Sequence, residues 1–293
     1  MLSYLLIAAL ATADQTPAKP AEAKPADAKP AEAKPSAVDA AIPPAEDAAK
    51  AALEKSTRHG EYVDLKVPGE TVALRTWVVY PERKDKAPVV ILIHEIFGLS
   101  DWMRATADQL AKDGFIAVAP DLISGKGPNG GGTDSAASKD DVVKLIRGLT
   151  PEETVKKLDA VRDYALKIPA ANGKLGVVGF CWGGSMSFLY ATAQPALGAA
   201  VVYYGTSPET PKLATVKAPV LGLYGADDAR VNATIDAAAA EMKKLGKTYE
   251  PTLFDGAGHA FLRNQTARDG ANLKAAQKGW AMTVEFFRKH LGK

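Results

Sequence analysis

Five short, unbroken apolar stretches punctuate the middle of the chain: residues 88–93 (PVVILI), 115–119 (FIAVA), 175–178 (LGVV), 199–204 (AAVVYY) and 219–224 (PVLGLY). Each is too short for a helix and has no polar face, which is the pattern of a strand covered on both sides. Residues 71–80 alternate enough to form a strand, and 251–254 make a short one near the C-terminus. Between the runs, residues 102–112, 151–167, 183–192, 231–245 and 271–290 carry apolar residues three and four positions apart, the spacing of a helix with one buried face. Buried strands alternating with such helices specify an α/β domain whose mostly parallel sheet has helices on both faces. In a sheet of this kind ligands and chemistry gather at the carboxyl ends of the strands. Residues 124–138, rich in Gly and Ser, read as a mobile surface loop.

The N-terminal part is of another kind. Residues 2–11 are nearly all apolar and Ala11-Thr12-Ala13 offers a small-x-small cleavage site, so residues 1–13 read as a secretory signal. The run is too short for a comfortable membrane span, and no stable membrane insertion is expected. The expected location is periplasmic or extracellular. From Asp14 the composition collapses to Ala, Lys, Pro, Glu and Asp, with the repeat KPAEA, KPADA, KPAEA over residues 19–33. A proline every fifth residue breaks each helical turn, so residues 14–50 read as an extended linker and 51–293 as the folded domain. The formal net charge is +2, from 36 basic and 34 acidic residues, which gives no case for a nucleic-acid partner. A single cysteine, Cys181, excludes an intrachain disulfide and a cysteine-rich zinc site.

A lone cysteine is more often a small buried hydrophobe than a catalyst. Its surroundings argue otherwise. The buried run 175–178 leads into Gly179-Phe180-Cys181-Trp182-Gly183, and an amphipathic helix follows. Strand, Gly-x-Cys-x-Gly and helix together make a nucleophile elbow, with glycines where the backbone must pack closely and the helix N-terminus aimed at the thiol. The partners of such a nucleophile follow in the order acid, then histidine. The run 219–224 ends in Gly225-Ala226-Asp227-Asp228, and strand 251–254 is followed by Gly258-His259-Ala260. The acid is open between Asp227 and Asp228, since either could instead be a turn residue or helix cap. Of the four histidines, His259 alone has the right place. His94 stands at a strand end but too early, His59 lies ahead of the recognised strands and His290 ends the last helix.

Across nearly all of residues 58–293 the chain resembles the dienelactone hydrolase family. The resemblance rests on His94-Glu95-Ile96-Phe97-Gly98-Leu99, Gly179-Phe180-Cys181-Trp182-Gly183-Gly184, Gly225-Ala226-Asp227-Asp228 and Gly258-His259-Ala260-Phe261. It implies an α/β-hydrolase fold and hydrolysis of a small ester or lactone through an acyl-cysteine, with no metal and no organic cofactor. Matching residues 225–231 puts the triad aspartate at Asp228. The resemblance also implies that Glu95 contacts the resting nucleophile and helps deprotonate it, and that the N–H groups of Ile96 and Trp182 form the oxyanion hole. Family members that act on dienelactone hold its carboxylate with two arginines. Arg263 matches one, and Lys139 stands near the other, keeping the charge without the bidentate fork. That departure, with the export pattern, leaves the natural substrate open among small esters, anionic ones included. A monomer is compatible with everything in the sequence.

Two other readings compete. One is a general carboxylesterase or peptidase of the same fold. The other is a non-catalytic, envelope-associated binding or redox-sensing protein with the repeat as its working part. The conjunction of Cys181, Asp228, His259 and Glu95 favours an enzyme.

Overall fold

The protein is described by a computed structural model covering residues 41–292. Among these residues the strands are β1 (Gly60–Leu65), β2 (Leu74–Val79), β3 (Ala87–Ile93), β4 (Ile116–Pro120), β5 (Ala171–Phe180), β6 (Ala199–Tyr203), β7 (Val220–Gly225) and β8 (Tyr249–Phe254). They form one eight-stranded sheet in the order β1-β2-β4-β3-β5-β6-β7-β8. β2 is antiparallel to both neighbours, and every pair from β4 through β8 is parallel. This is the mostly parallel, doubly covered sheet that the apolar runs require.

The helices are α1 (Ala49–Lys55), α2 (Asp101–Lys112), α3 (Lys139–Arg147), α4 (Pro151–Ala165), α5 (Trp182–Ala193), α6 (Ala229–Asn232), α7 (Ile235–Lys244) and α8 (Ala271–Leu291). Local chemistry starts several of them. The side chains of Ser100, Ser138 and Thr150 accept the N–H groups of Met103, Asp141 and Glu153, and Pro151 follows Thr150 in the first turn of α4.

Side chains alternate across the sheet, and the two faces make two cores. From β3, Val89, Ile91 and Ile93 join Leu158 and Val161 of α4 and Ala238 and Met242 of α7. Val90 and Leu92 point the other way, to Trp102 and Leu110 of α2 and Trp280 and Phe287 of α8. All seven residues of β3 are buried.

Three local expectations change. Residues 42–50, read as linker, belong to the folded domain. Ile42, Ala45, Ala48 and Ala49 are buried, Trp102 Nε1 donates to Pro44 O at 3.0 Å, and Gln265 Nε2 donates to Pro43 O at 2.8 Å. The proline-rich composition continues past residue 40, but here the prolines offer their carbonyls to buried donors. Second, residues 231–245 do not form one helix. The Thr234 hydroxyl donates back to Val231 O and accepts Ser207 N–H, and the chain breaks into α6 and α7 there. Third, residues 124–138 contain two short 3-10 turns and are tied down, because the Asp121 carboxylate accepts both Thr133 N–H at 2.7 Å and its hydroxyl at 2.8 Å.

The stretch expected to be a secretory signal and the repeat lie outside the described residues. Among the described residues no helix is long and apolar enough to cross a membrane.

Candidate active site

β5 ends at Phe180 and α5 begins at Trp182, so Cys181 alone turns the chain, with φ 55° and ψ −116°. A non-glycine residue at positive φ is strained and persists only where its surroundings fix it. They do so here. Cys181 N–H donates to Tyr203 O of β6 at 3.0 Å. A Cβ on Gly179 would lie 1.8 Å from Gly183 O, and one on Gly183 would lie 2.3 Å from Ile93 O. The two glycines of the motif are therefore required by backbone contact across β3, β5 and α5.

The thiol is half-buried. Burial, and next the negative charge of Glu95, push its pKa above the ordinary thiol value. The Trp182 N–H and the charges of Arg230 and Arg263 act in the opposite direction. As first residue of α5, Trp182 has no intrahelical acceptor for that N–H. Ile96, the other expected oxyanion donor, is half-buried and directly follows Glu95 at the end of β3.

The turns after β7 and β8 bring the acid and the histidine together. A Cβ on Gly225 would meet Ala257 O and Gly258 O at 2.5 Å, so these two turns are in backbone contact. Across that contact the Asp228 carboxylate accepts a 2.5 Å bond from His259 Nδ1. The His259 ring lies 5.1 Å from that of Tyr204, the residue after the carbonyl that holds Cys181. Asp228 is 8% exposed, whereas Asp227 points outward and pairs with Arg268 at 2.7 Å. Two asparagines that the sequence reading passed over hold these turns. Asn232 donates to Gly225 O and Ala226 O. Asn272 accepts Gly258 N–H and donates to Asn264 O, fixing the loop that carries both His259 and Arg263.

Glu95 is 2% exposed, and its Oε1 lies 3.0 Å from Arg263 Nε. Burial raises its pKa to about 7; Arg263 and Lys139 pull it down, and the charge of Glu46 pushes it up. Its neighbour His94 is a strut: Nδ1–H donates to Glu95 O at 2.8 Å and Nε2 accepts Leu122 N–H at 3.2 Å. Full burial lowers its pKa and keeps it neutral, and its ring stacks on Trp182.

Arg263 and Lys139 meet on a single carboxylate, that of Glu46. Arg263 NH1 donates to one oxygen, and Lys139 Nζ donates to the other at 2.9 Å. Both cations stand beside the Phe97 ring, at 5.1 and 5.4 Å from its centroid. Burial opposes ionisation of Glu46, yet the two cations hold its pKa below the ordinary value. The sequence reading missed Glu46, because it lies in the stretch read as linker. A cavity of about 890 Å³ bordered by Leu65, Tyr164 and Leu189 contains none of these residues. Among the described residues no group of three His, Cys, Asp or Glu is placed to hold a metal ion.

Residues 74–291 match the dienelactone hydrolase family. The chain is 34% identical over 188 residues to the carboxymethylenebutenolidase of Pseudomonas putida, covering 63% of this chain and 79% of that protein. It is 33% identical over 244 residues to a Salmonella typhimurium protein provisionally named carboxymethylenebutenolidase, covering 78% of this chain and 87% of that one. A crystal structure of a provisionally named dienelactone hydrolase from Klebsiella pneumoniae superposes with a TM-score of 0.70 at 27% identity, covering 80% of this chain and all of the other. The chain thus belongs to the dienelactone hydrolase family and is a hydrolase of ester or lactone bonds.

Proposed function

We propose that the protein hydrolyses a small ester or lactone, as a carboxymethylenebutenolidase does, by way of an acyl-cysteine on Cys181. The observation that carries this is a strained cysteine at the β5–α5 turn, with a hydrogen-bonded Asp228–His259 pair at the same end of the sheet. The thiol proton passes to His259, its departure assisted by the Glu95 carboxylate. The sulfur attacks the carbonyl carbon, and the N–H groups of Trp182 and Ile96 receive the oxyanion. His259 returns its proton to the leaving alkoxide, which frees the alcohol and leaves the thioester. It then takes a proton from water, whose hydroxide releases the acid and restores the thiol. Asp228 holds His259 in the tautomer this needs. The raised thiol pKa fits a nucleophile kept protonated until a substrate arrives, which limits adventitious alkylation and oxidation.

The test is hydrolysis of p-nitrophenyl acetate. Cys181→Ala should be folded and inactive. Cys181→Ser should lose at least about a hundredfold, because a hydroxyl is far less acidic than a thiol. Asp228→Asn should also lose orders of magnitude, up to about 10⁴ by analogy with serine triads, and Asp227→Asn little. Full activity in Cys181→Ala would reject the cysteine mechanism. A strong effect at Asp227 with none at Asp228 would reject the assignment of the acid.

A further inference from the structure

Glu46 reaches the site from 217 positions ahead of Arg263 in the sequence. Its delivery does not depend on its carboxylate. Glu46 N–H donates to Arg263 O at 3.1 Å, the Pro43 and Pro44 carbonyls are held by Gln265 and Trp102, and Ile42 and Ala45 are buried. The carboxylate then spans Arg263 and Lys139. Arg263 in turn touches Glu95, and its charge reaches the Cys181 thiol. A cation whose charge reaches the nucleophile, with a second cation across the same carboxylate, makes a place for the anionic end of a substrate. In this chain a carboxylate of its own already fills that place.

A tethered group competes at a high effective concentration, so a free carboxylate at ordinary concentration does not displace it. With Glu46 in position and Glu95 ionised, the two carboxylates and two cations cancel. A substrate carboxylate brought here would face that neutral cluster and lose its hydration without gaining a free cation.

We propose that Glu46 is a specificity-determining residue: its carboxylate fills the Arg263–Lys139 subsite from within, so the site takes small esters or lactones without a carboxylate and discriminates against anionic ones. The choice of substrate rests on the ester-hydrolase reading above; the filled subsite does not.

The experiment uses the full chain, whose one cysteine makes alkylation report on Cys181 alone. Iodoacetamide and iodoacetate are nearly the same size and differ in charge. Any change in thiol acidity acts on both reagents alike, so the ratio of their rate constants reads the anion subsite. In Glu46→Gln the iodoacetate-to-iodoacetamide ratio should rise about tenfold at low salt, the effect of one nearby charge at intermediate dielectric. In a Lys139→Met background the same substitution should give less than about threefold, because one of the two cations is gone. A general field effect would leave the gain unchanged there and would overturn the proposal. The same pair of proteins is then assayed on p-nitrophenyl acetate and mono-p-nitrophenyl succinate, where the kcat/KM ratio should shift toward the succinate ester. An alkylation ratio unmoved in folded Glu46→Gln overturns the subsite. A ratio that moves in a protein that hydrolyses neither ester upholds the subsite and rejects the ester reading. Glu46→Asp, too short to span both cations, should give an intermediate gain; a wild-type ratio there would count against the two-cation bridge.

Discussion

Glu95 is a buried carboxylate whose charge reaches the candidate nucleophile. Its carboxyl is almost fully enclosed, and burial raises its pKa from 4.5 to about 7. A carboxyl with a raised folded pKa is bound more tightly to its proton in the native state than in the unfolded one. Folding stability therefore falls as pH climbs above the unfolded value, and the cost is complete once pH passes the folded value. Glu95→Gln does not titrate. The variant should gain stability relative to wild type between pH 5 and pH 8, by roughly 2 kcal/mol. Thermal melts of the two proteins at both pH values measure this, and a difference that stays constant with pH would remove Glu95 as the titrating group. The same charge raises the thiol pKa, so Glu95 couples the acidity of Cys181 to its own protonation.

At the scale of elements, the segment ahead of α1 matters most, because it joins the fold to the site. It packs Ile42, Ala45, Ala48 and Ala49 into the domain and gives two prolyl carbonyls to buried donors. Small apolar side chains and a few hydrogen bonds of this kind sum to about 2–4 kcal/mol. A chain beginning at residue 51 should therefore unfold in urea at a clearly lower midpoint than one beginning at residue 41. Equal midpoints for the two truncations would mean that the packing of residues 42–50 contributes nothing. The 51-start chain also loses Glu46, so it should show the raised iodoacetate preference of Glu46→Gln.

The whole molecule gathers its chemistry by strand order. Glu95, Cys181, Asp228 and His259 follow β3, β5, β7 and β8, all parallel, so all four sit at one end of the sheet. Residues far apart in sequence meet because parallel strands share a direction, and the close approach at Gly225 and Gly183 draws their turns together. On the pattern of residues 1–13 we also propose that the chain is exported and cleaved after Ala13. N-terminal sequencing of protein from its native host should then begin at Asp14. A soluble cytoplasmic protein that keeps Met1 would reject export.

Apolar runs and helical spacing by themselves determined the α/β class, because a strand covered on both faces must be apolar throughout and can lie only inside a sandwiched sheet. The elbow was equally legible in Gly179-Phe180-Cys181-Trp182-Gly183, since its glycines stand where close backbone contact leaves no room for a side chain. Strand β1, half-exposed and paired on one side, carried no such pattern, and neither did the short helices α1 and α3. Residues alone left the acid open between Asp227 and Asp228; in the fold the first faces Arg268 and the second His259, a difference set by the turn and not by composition. Glu46 belonged to the tertiary structure entirely. Its partners are Arg263 and Lys139, and no periodicity or motif records a contact between side chains so distant in sequence. Only the docking of its segment across Trp102 and Gln265 decides that a glutamate beside the linker becomes part of the site.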